Sequence, residues 1–250
     1  VTQSPDASLS ANLDAFGSLF ESEIAAAPTL EAAAQLFCDR FYATFVDFTV
    51  LVRVFGTFSY GELTDADRTF AGTYLARDGE APQVDDRTPV LTLLGTRGIE
   101  EAWCSRLTSR DHRAIPLLSD EFIDDIPMLA RLLGEIGFPR LANSAAWQFV
   151  TRDTIDVNGL FFVGDARTST DERGRHIIPS TNFVERYGVK TVFGFGGPYT
   201  AAPTFLTAIV FARRPLARSQ AARFAPFIGD LKAATRQQVD RGAIFSESGA

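Results

Sequence analysis

The stretch Gly159 to Ala212, GLFFVGDARTSTDERGRHIIPSTNFVERYGVKTVFGFGGPYTAAPTFLTAIVFA, decides how this chain is read. Leu160 to Val163 (LFFV), Val189 to Phe195 (VKTVFGF) and Thr204 to Ala212 (TFLTAIVFA) are β-branched and aromatic runs bounded by glycine, proline and polar clusters, which is the composition of strands. Between the first two, Phe183 to Tyr187 fits one helical turn closed by Gly188. The glycines of G-F-G-G-P-Y, Gly194, Gly196 and Gly197, match neither G-x-G-x-x-G nor a phosphate loop ending in Lys and Ser/Thr. They are expected to end a strand and turn into a hairpin, supplying positive φ.

Upstream, Val1 to Ser10 is polar and aperiodic and reads as a loose lead-in. From Ala11, Leu13, Phe16, Leu19, Phe20 and Ile24 recur at three and four, predicting an amphipathic helix that Pro28 stops. Thr29 can cap a second helix, with Leu30, Ala33, Ala34, Phe37, Phe41 and Phe45 on one face. Phe48 to Phe55 (FTVLVRVF) reads as the first strand, closed by Gly56. Thr64, with Asp67 three residues on, begins a helix to Arg77, and Asp78 to Arg87 is a solvated loop. Pro89 to Leu94 and Ala114 to Leu118 are short strands around a helical Arg97 to Leu107. Asp120 to Ile136 is a helix ended by Gly137 and Pro139.

Downstream, Leu216 to Val239 predicts one last helix, with Gln220, Phe224, Phe227, Leu231, Ala234 and Gln238 spaced by four and three. That spacing serves either a face packed on a sheet or a helix pair between chains. Two helices, a strand, a mixed middle, three strands and a terminal helix give an α+β fold with a largely antiparallel central sheet.

The strand LFFVGDAR, the short helix ending ERYGVK, the strand TVFGFGGP and the strand FLTAIVFARRPL followed by a helix resemble the second half of a GAF domain. The GFGG and FARRPL stretches look especially like the sensor modules fused to bacterial signalling kinases. The resemblance implies a GAF/PAS-like architecture, with the sheet flanked by N- and C-terminal helices. It covers about residues 29 to 240 and is best from 159 to 235. Residues 1–28 form a lead-in and helix, 29–240 one GAF-like domain with an enlarged middle at 80–150, and 241–250 a tail. The resemblance also implies a ligand between the open face of the sheet and its covering loops.

Composition narrows the function further. Net charge is −7, with 31 acidic against 24 basic residues and no basic cluster, so neither nucleic acid nor an anionic membrane is an expected partner. Only Lys190 and Lys232 are lysines, an arginine bias that fits a GC-rich genome. The longest apolar run, Phe205 to Ala212, is far short of the ~20 residues of a membrane helix. Two cysteines and no Asn-x-Ser/Thr sequon suit a reducing compartment, so a cytoplasmic location is expected. The chain opens on Val1, so an upstream segment is expected to have been removed, and the output of signalling is assigned to a separate partner or a fused domain. Most of the 22 phenylalanines fall on predicted apolar faces, so core packing explains their excess.

Few residues carry chemistry. Cys104, beside Trp103 and followed by Arg106 and Arg110 on the expected helix, is the thiol with a cationic setting. Redox chemistry there, as in the free methionine sulfoxide reductases built on a GAF scaffold, needs a resolving thiol, and Cys38 lies in a predicted core helix. A bilin thioether at Cys104 is chemically open. His112 and His176 are the candidate haem ligands, although no H-x-H or HExxH spacing supports a metal. The acids Asp120, Glu121, Asp124 and Asp125 suit a helix start, and Ser144 and Ser180 lie in no G-x-S-x-G elbow. No cofactor is required.

The expected ligand contacts are Asp165, Arg167, Phe193, Phe195, Tyr199 and Trp103. The sequence thus points to a non-catalytic sensory domain that binds a small molecule or partner and relays it through its terminal helices. The alternatives are a haem-based gas or redox sensor and a thiol redox enzyme using Cys104. In a further alternative, a structural dimerisation module with an empty pocket, Phe224, Phe227 and Leu231 make the homodimer interface.

Overall fold

A computed structural model of the chain describes residues 5–18, 20–75, 84–109, 112–138, 158–200 and 202–246. Six strands form one antiparallel sheet: β1 (Thr49–Ser59), β2 (Pro89–Gly98), β3 (Ala114–Pro116), β4 (Gly159–Val163), β5 (Thr191–Pro198) and β6 (Phe205–Ala212). Their order is β3-β2-β1-β6-β5-β4, so the first and last strands pair at the centre through contacts such as Val52 with Val210. The fold is α+β, as the element order predicts.

One face of the sheet, here the back, carries α1 (Pro5–Gly17), a π-helical turn (Phe20–Ile24), α2 (Leu30–Thr44) and the C-terminal helices. Thr29 caps α2 by accepting a bond from the Ala32 N–H, and Leu30, Ala33, Ala34, Phe37 and Phe41 are buried as their spacing predicts. Phe16 sits among the rings of Phe20, Phe37, Phe41, Phe45 and Phe227 at centroid distances of 4.8–5.8 Å. The aromatic excess is therefore largely a back-face core.

Several boundaries differ from expectation, each for a local reason. The first helix starts at Pro5, inside the expected lead-in, and Leu9 is buried in the core. It ends at Gly17 rather than Pro28, and Leu19 lies outside the described residues. Strand β1 runs through Gly56, where an added Cβ would lie 2.6 Å from the Phe58 ring. Arg97 to Leu107 is the end of β2 followed by a 3₁₀ turn, Glu101–Trp103, and not an α-helix. The helix expected from Asp120 to Ile136 is two, α4 (Asp120–Asp124) and α5 (Pro127–Glu135), because Pro127 supplies no N–H to continue the first. Gly137, at φ 79, ends the second.

Helix α6 (Thr181–Arg186) ends at Tyr187-Gly188 and leads into β5, as the resemblance implies. The expected single C-terminal helix is α7 (Arg218–Ala222), α8 (Pro226–Ala234) and α9 (Arg236–Asp240), interrupted at Pro226 and at Thr235. Thr235 donates to the Leu231 carbonyl and shares a 2.7 Å bond with the Tyr199 hydroxyl, which ties the break to the sheet. The expected tail is integrated up to residue 246: the N–H groups of Leu30 and Glu31 donate to the carbonyls of Ala243 and Ile244, and Phe245 packs on Phe58. The expected loop at 78–87 and enlarged middle at 80–150 are described only in part, and Arg77, Arg110, Pro139 and Ser144 lie outside the described residues.

Helix α2 comes close to the sheet at Gly95 of β2, where an added Cβ would lie 2.4 Å from the Ala34 carbonyl oxygen. Both groups are backbone, so Gly95→Ala should cost about 1–3 kcal/mol or more in denaturant unfolding. Gly72, in α3 (Asp65–Leu75), has open space around it, and Gly72→Ala should instead stabilise by about 0.5–1 kcal/mol.

Candidate functional site

The front face of the sheet carries α4, α5 and α6, and between them lies a half-open cavity of about 400 Å³. Strand alternation supplies the floor. In β1, Leu51, Arg53 and Phe55 point forward while Val52 and Val54 point back under the helices. Leu91 of β2, Ile115 of β3, and Ile209 and Phe211 of β6 complete it. Leu129 and Leu132 of α5 and the residues Ile178 to Ser180 leading into α6 form opposing walls.

An aromatic group closes one side. The rings of Trp103 and Tyr187 are 4.9 Å apart, those of Trp103 and Phe183 5.6 Å, and those of Phe183 and Phe211 5.3 Å. The Tyr187 hydroxyl donates to Glu100 at 2.9 Å; desolvation, then that bond, raises its pKa above the usual phenol value. Arg186, 72% exposed, stands at the mouth with Nη2 3.9 Å from Glu100. Deep in the floor, Arg53 is only 8% exposed, and its Nη2 donates to the Ser109 hydroxyl at 3.1 Å.

Of the residues expected to contact a ligand, Trp103 lines this cavity. Phe193 and Phe195 do not: both point to the back face, 0% exposed, where Phe193 packs on Phe224. Tyr199 is buried on that same face, and desolvation pushes its phenol far up. The expected grouping treats the glycines as a turn. In the structure Gly194, Gly196 and Gly197 lie inside β5, none at positive φ, so the strand runs on through them and turns Phe193 and Phe195 away from the cavity. Gly194 and Gly196 thin the sheet under α5, since their Cβ atoms would come within 3.4 Å of Leu132 and 3.2 Å of Ile136. Asp165 and Arg167 form an exposed turn outside the cavity, the Arg167 N–H donating to the Asp165 carboxylate; that bond chiefly lowers the Asp165 pKa.

The thiols and imidazoles are dispersed. Cys104 is half-buried against the carbonyls of Gly98 and Glu100. Arg106, expected beside it on a helix, instead bonds the Leu93 carbonyl, Glu31 and Asp67. Cys38 is fully buried on the back face, and desolvation holds its thiol well above the usual range. His112 is on the cavity wall, whereas His176 bridges to Thr170 in an outer loop. Ser119 caps α4, Asp125 at the other end of that helix faces Arg173 and Arg175, and no group of three His, Cys, Asp or Glu among the described residues can hold a metal ion.

Sequence reasoning missed Arg53. Its signal was legible: it is the one charge in the otherwise apolar strand FTVLVRVF, and arginine is rarely buried without a reason. Phe211 reads from the sequence as one of the core phenylalanines, because alternation alone does not say which face of a sheet holds a void.

The sequence matches no protein-family model, and no curated protein matches it. Solved structures do resemble the fold. One is the phycoerythrobilin-bound GAF domain of a cyanobacterial phytochrome, at 12% identity and a TM-score of 0.43, over 95% of this chain and 97% of that one. A second is the free methionine-R-sulfoxide reductase of Neisseria meningitidis with its substrate, at 11% and 0.46, over 96% of each. A third is the GAF domain of a phosphoenolpyruvate-protein phosphotransferase from Coxiella burnetii, at 12% and 0.46, over 94% and 98%. No residue role is carried over from any of them. The antiparallel sheet, the helix ending at Tyr187-Gly188 and the terminal helices across the back face agree with the GAF-like architecture that the sequence resemblance implies.

Proposed function

We propose that this chain is a non-catalytic sensory domain that holds one small molecule in the front-face cavity and relays its presence through the terminal helices. The observation that carries the reading is the cavity itself: about 400 Å³, walled by aliphatic and aromatic side chains with few polar groups, which is the make-up of a ligand pocket. The relay follows from β1, whose forward residues form the floor while Val52 and Val54 lie under α2. A ligand that favours one floor geometry shifts the helices by as much as its differential affinity.

Thiol redox chemistry is the weaker reading, because a fully buried Cys38 with a raised pKa is a poor resolving partner for Cys104. The two free cysteines suit a cytoplasmic setting, and no helix among the described residues is long and apolar enough to cross a membrane. Phe224, Phe227 and Leu231 are buried inside the protomer, so a homodimer would need another surface.

Native mass spectrometry of the purified protein tests the reading. The expected result is a retained small molecule or, for ligand-free protein, a rise in thermal midpoint with monocyclic aromatic compounds. Either response should vanish in Ile209→Trp, which fills the cavity. No retained mass and no thermal response would overturn it, and a haem mass would replace it with the haem-sensor alternative, reached from His112.

A further inference from the structure

The front-face cavity carries rings along one side, and the charges around it are already held by the protein. Trp103, Phe183, Tyr187 and Phe211 line it together. Arg53 in the floor donates to Ser109, His112 on the wall has a partner of its own, and Arg186 and Tyr187 both turn to Glu100. Resting on the binding reading above, we propose that the ligand is an uncharged aromatic molecule of up to two fused rings.

The lining selects against charge. No Asp or Glu is among the described residues that line the cavity, so a cation would give up water there without gaining a counter-ion. An anion would reach Arg53 or Arg186 only by competing with the groups that already engage them. Either ion sheds hydration that aliphatic and aromatic walls do not replace, whereas burying an uncharged apolar body is favourable in itself. Ser180 and Asn182, exposed side chains on the lining, suit one hydroxyl or carbonyl group at the outer end of such a molecule.

The walls also select for a ring. Trp103 meets Tyr187 and Phe183, and Phe183 meets Phe211, each edge to face at interplanar angles of 66°, 67° and 88°. Rings set this way turn both edges and faces to a neighbour, so a flat aromatic guest makes quadrupole contacts that a saturated one of equal area cannot. An apolar cavity of ~150 Å³ is enough for benzene. At about 400 Å³ and half-open, this one has room for two fused rings and a short substituent.

Calorimetric titration at neutral pH with four probes of one shape separates the possibilities: 2-naphthylmethanol, 2-naphthoate, 2-naphthylmethylammonium and the saturated decahydro-2-naphthylmethanol. The expected result is that wild-type protein binds the aromatic alcohol at least about 10-fold more tightly than either ion and about 2- to 10-fold more tightly than its saturated counterpart. In Phe183→Leu, which keeps apolar bulk but not the ring, the two alcohols should come to within about 2-fold of each other. The four-probe comparison on wild-type protein stands even if the variant fails to fold. An ion that binds as tightly as the aromatic alcohol, or a saturated alcohol that does, would overturn the assignment and leave the cavity reading intact. If none of the four binds, native mass spectrometry decides: a retained uncharged aromatic molecule supports the assignment, a charged or saturated one overturns it alone, and retention of nothing, with no thermal response, overturns both.

Discussion

Asp67→Ala should lower stability by about 3–5 kcal/mol in denaturant unfolding, a large fraction of what holds a domain folded. Asp67 is fully buried. Its carboxylate receives Arg106 at one oxygen and Arg113 Nε at the other, 2.7 Å away, with the Thr64 hydroxyl also donating at 2.7 Å. Removing it leaves two largely buried guanidinium groups without their shared anion, and it unlinks α3 from β3 and from the segment after β2. The control is Asp65→Ala, which breaks an ion pair at a carboxylate 96% exposed and should cost less than about 1 kcal/mol. The same network holds Glu31, whose pKa is raised above 4.5 chiefly by desolvation, against the pull of Arg106. A raised folded pKa means the native state keeps its proton longer than the unfolded one, so this group's contribution is full below the ordinary value and lost as pH rises through the raised value. Glu31→Gln should therefore flatten the fall in stability from acid towards neutral pH.

Phe224→Ala should cost a similar amount, about 3–5 kcal/mol. The ring is 0% exposed and meets Phe41, Phe45, Phe48, Phe193 and Phe227 at centroid distances of 5.1–6.3 Å. It joins α2, the sheet and the C-terminal helices, so the cavity left by its loss cannot close from one side. The measurement also separates two uses of the residue. A core ring lowers the unfolding midpoint equally at all protein concentrations, whereas an intermolecular contact would make the midpoint concentration-dependent and leave the monomer unchanged.

The elements that were legible in the sequence are those whose own residues determine them. Thr29 and the Leu30 to Phe41 spacing specify α2 locally, and the runs LFFV and TFLTAIVFA have only one good use in a domain of this size. Helix breaks were harder: Pro127 and Pro226 are visible in the sequence, but the apolar periodicity continues across both because the pieces still pack on a common surface. The site was the least legible part. Its residues come from β1, β2, β3, β6, α5, α6 and the 3₁₀ turn, and they meet only once the strand order is known. Phe193 and Phe195 drew attention through their glycine neighbours, yet a strand residue's face is set by pairing, here Phe195 with Ala208 and Phe193 with Val210. Arg53 was overlooked because a strand with one charge reads as an ordinary strand until the sheet shows that this residue lines a cavity.

The central claim is that the front-face cavity, and not the glycine-rich β5 or the Asp165 to Arg167 turn, is where this domain meets its ligand. A crystal structure of the protein with the molecule it retains on purification tests this most directly. The account predicts one ligand held between β1, β6 and α6, with its apolar body against Trp103 and Phe183. Ligand bound on the back face or at the exposed Asp165 to Arg167 turn, with the cavity containing only solvent, would contradict it.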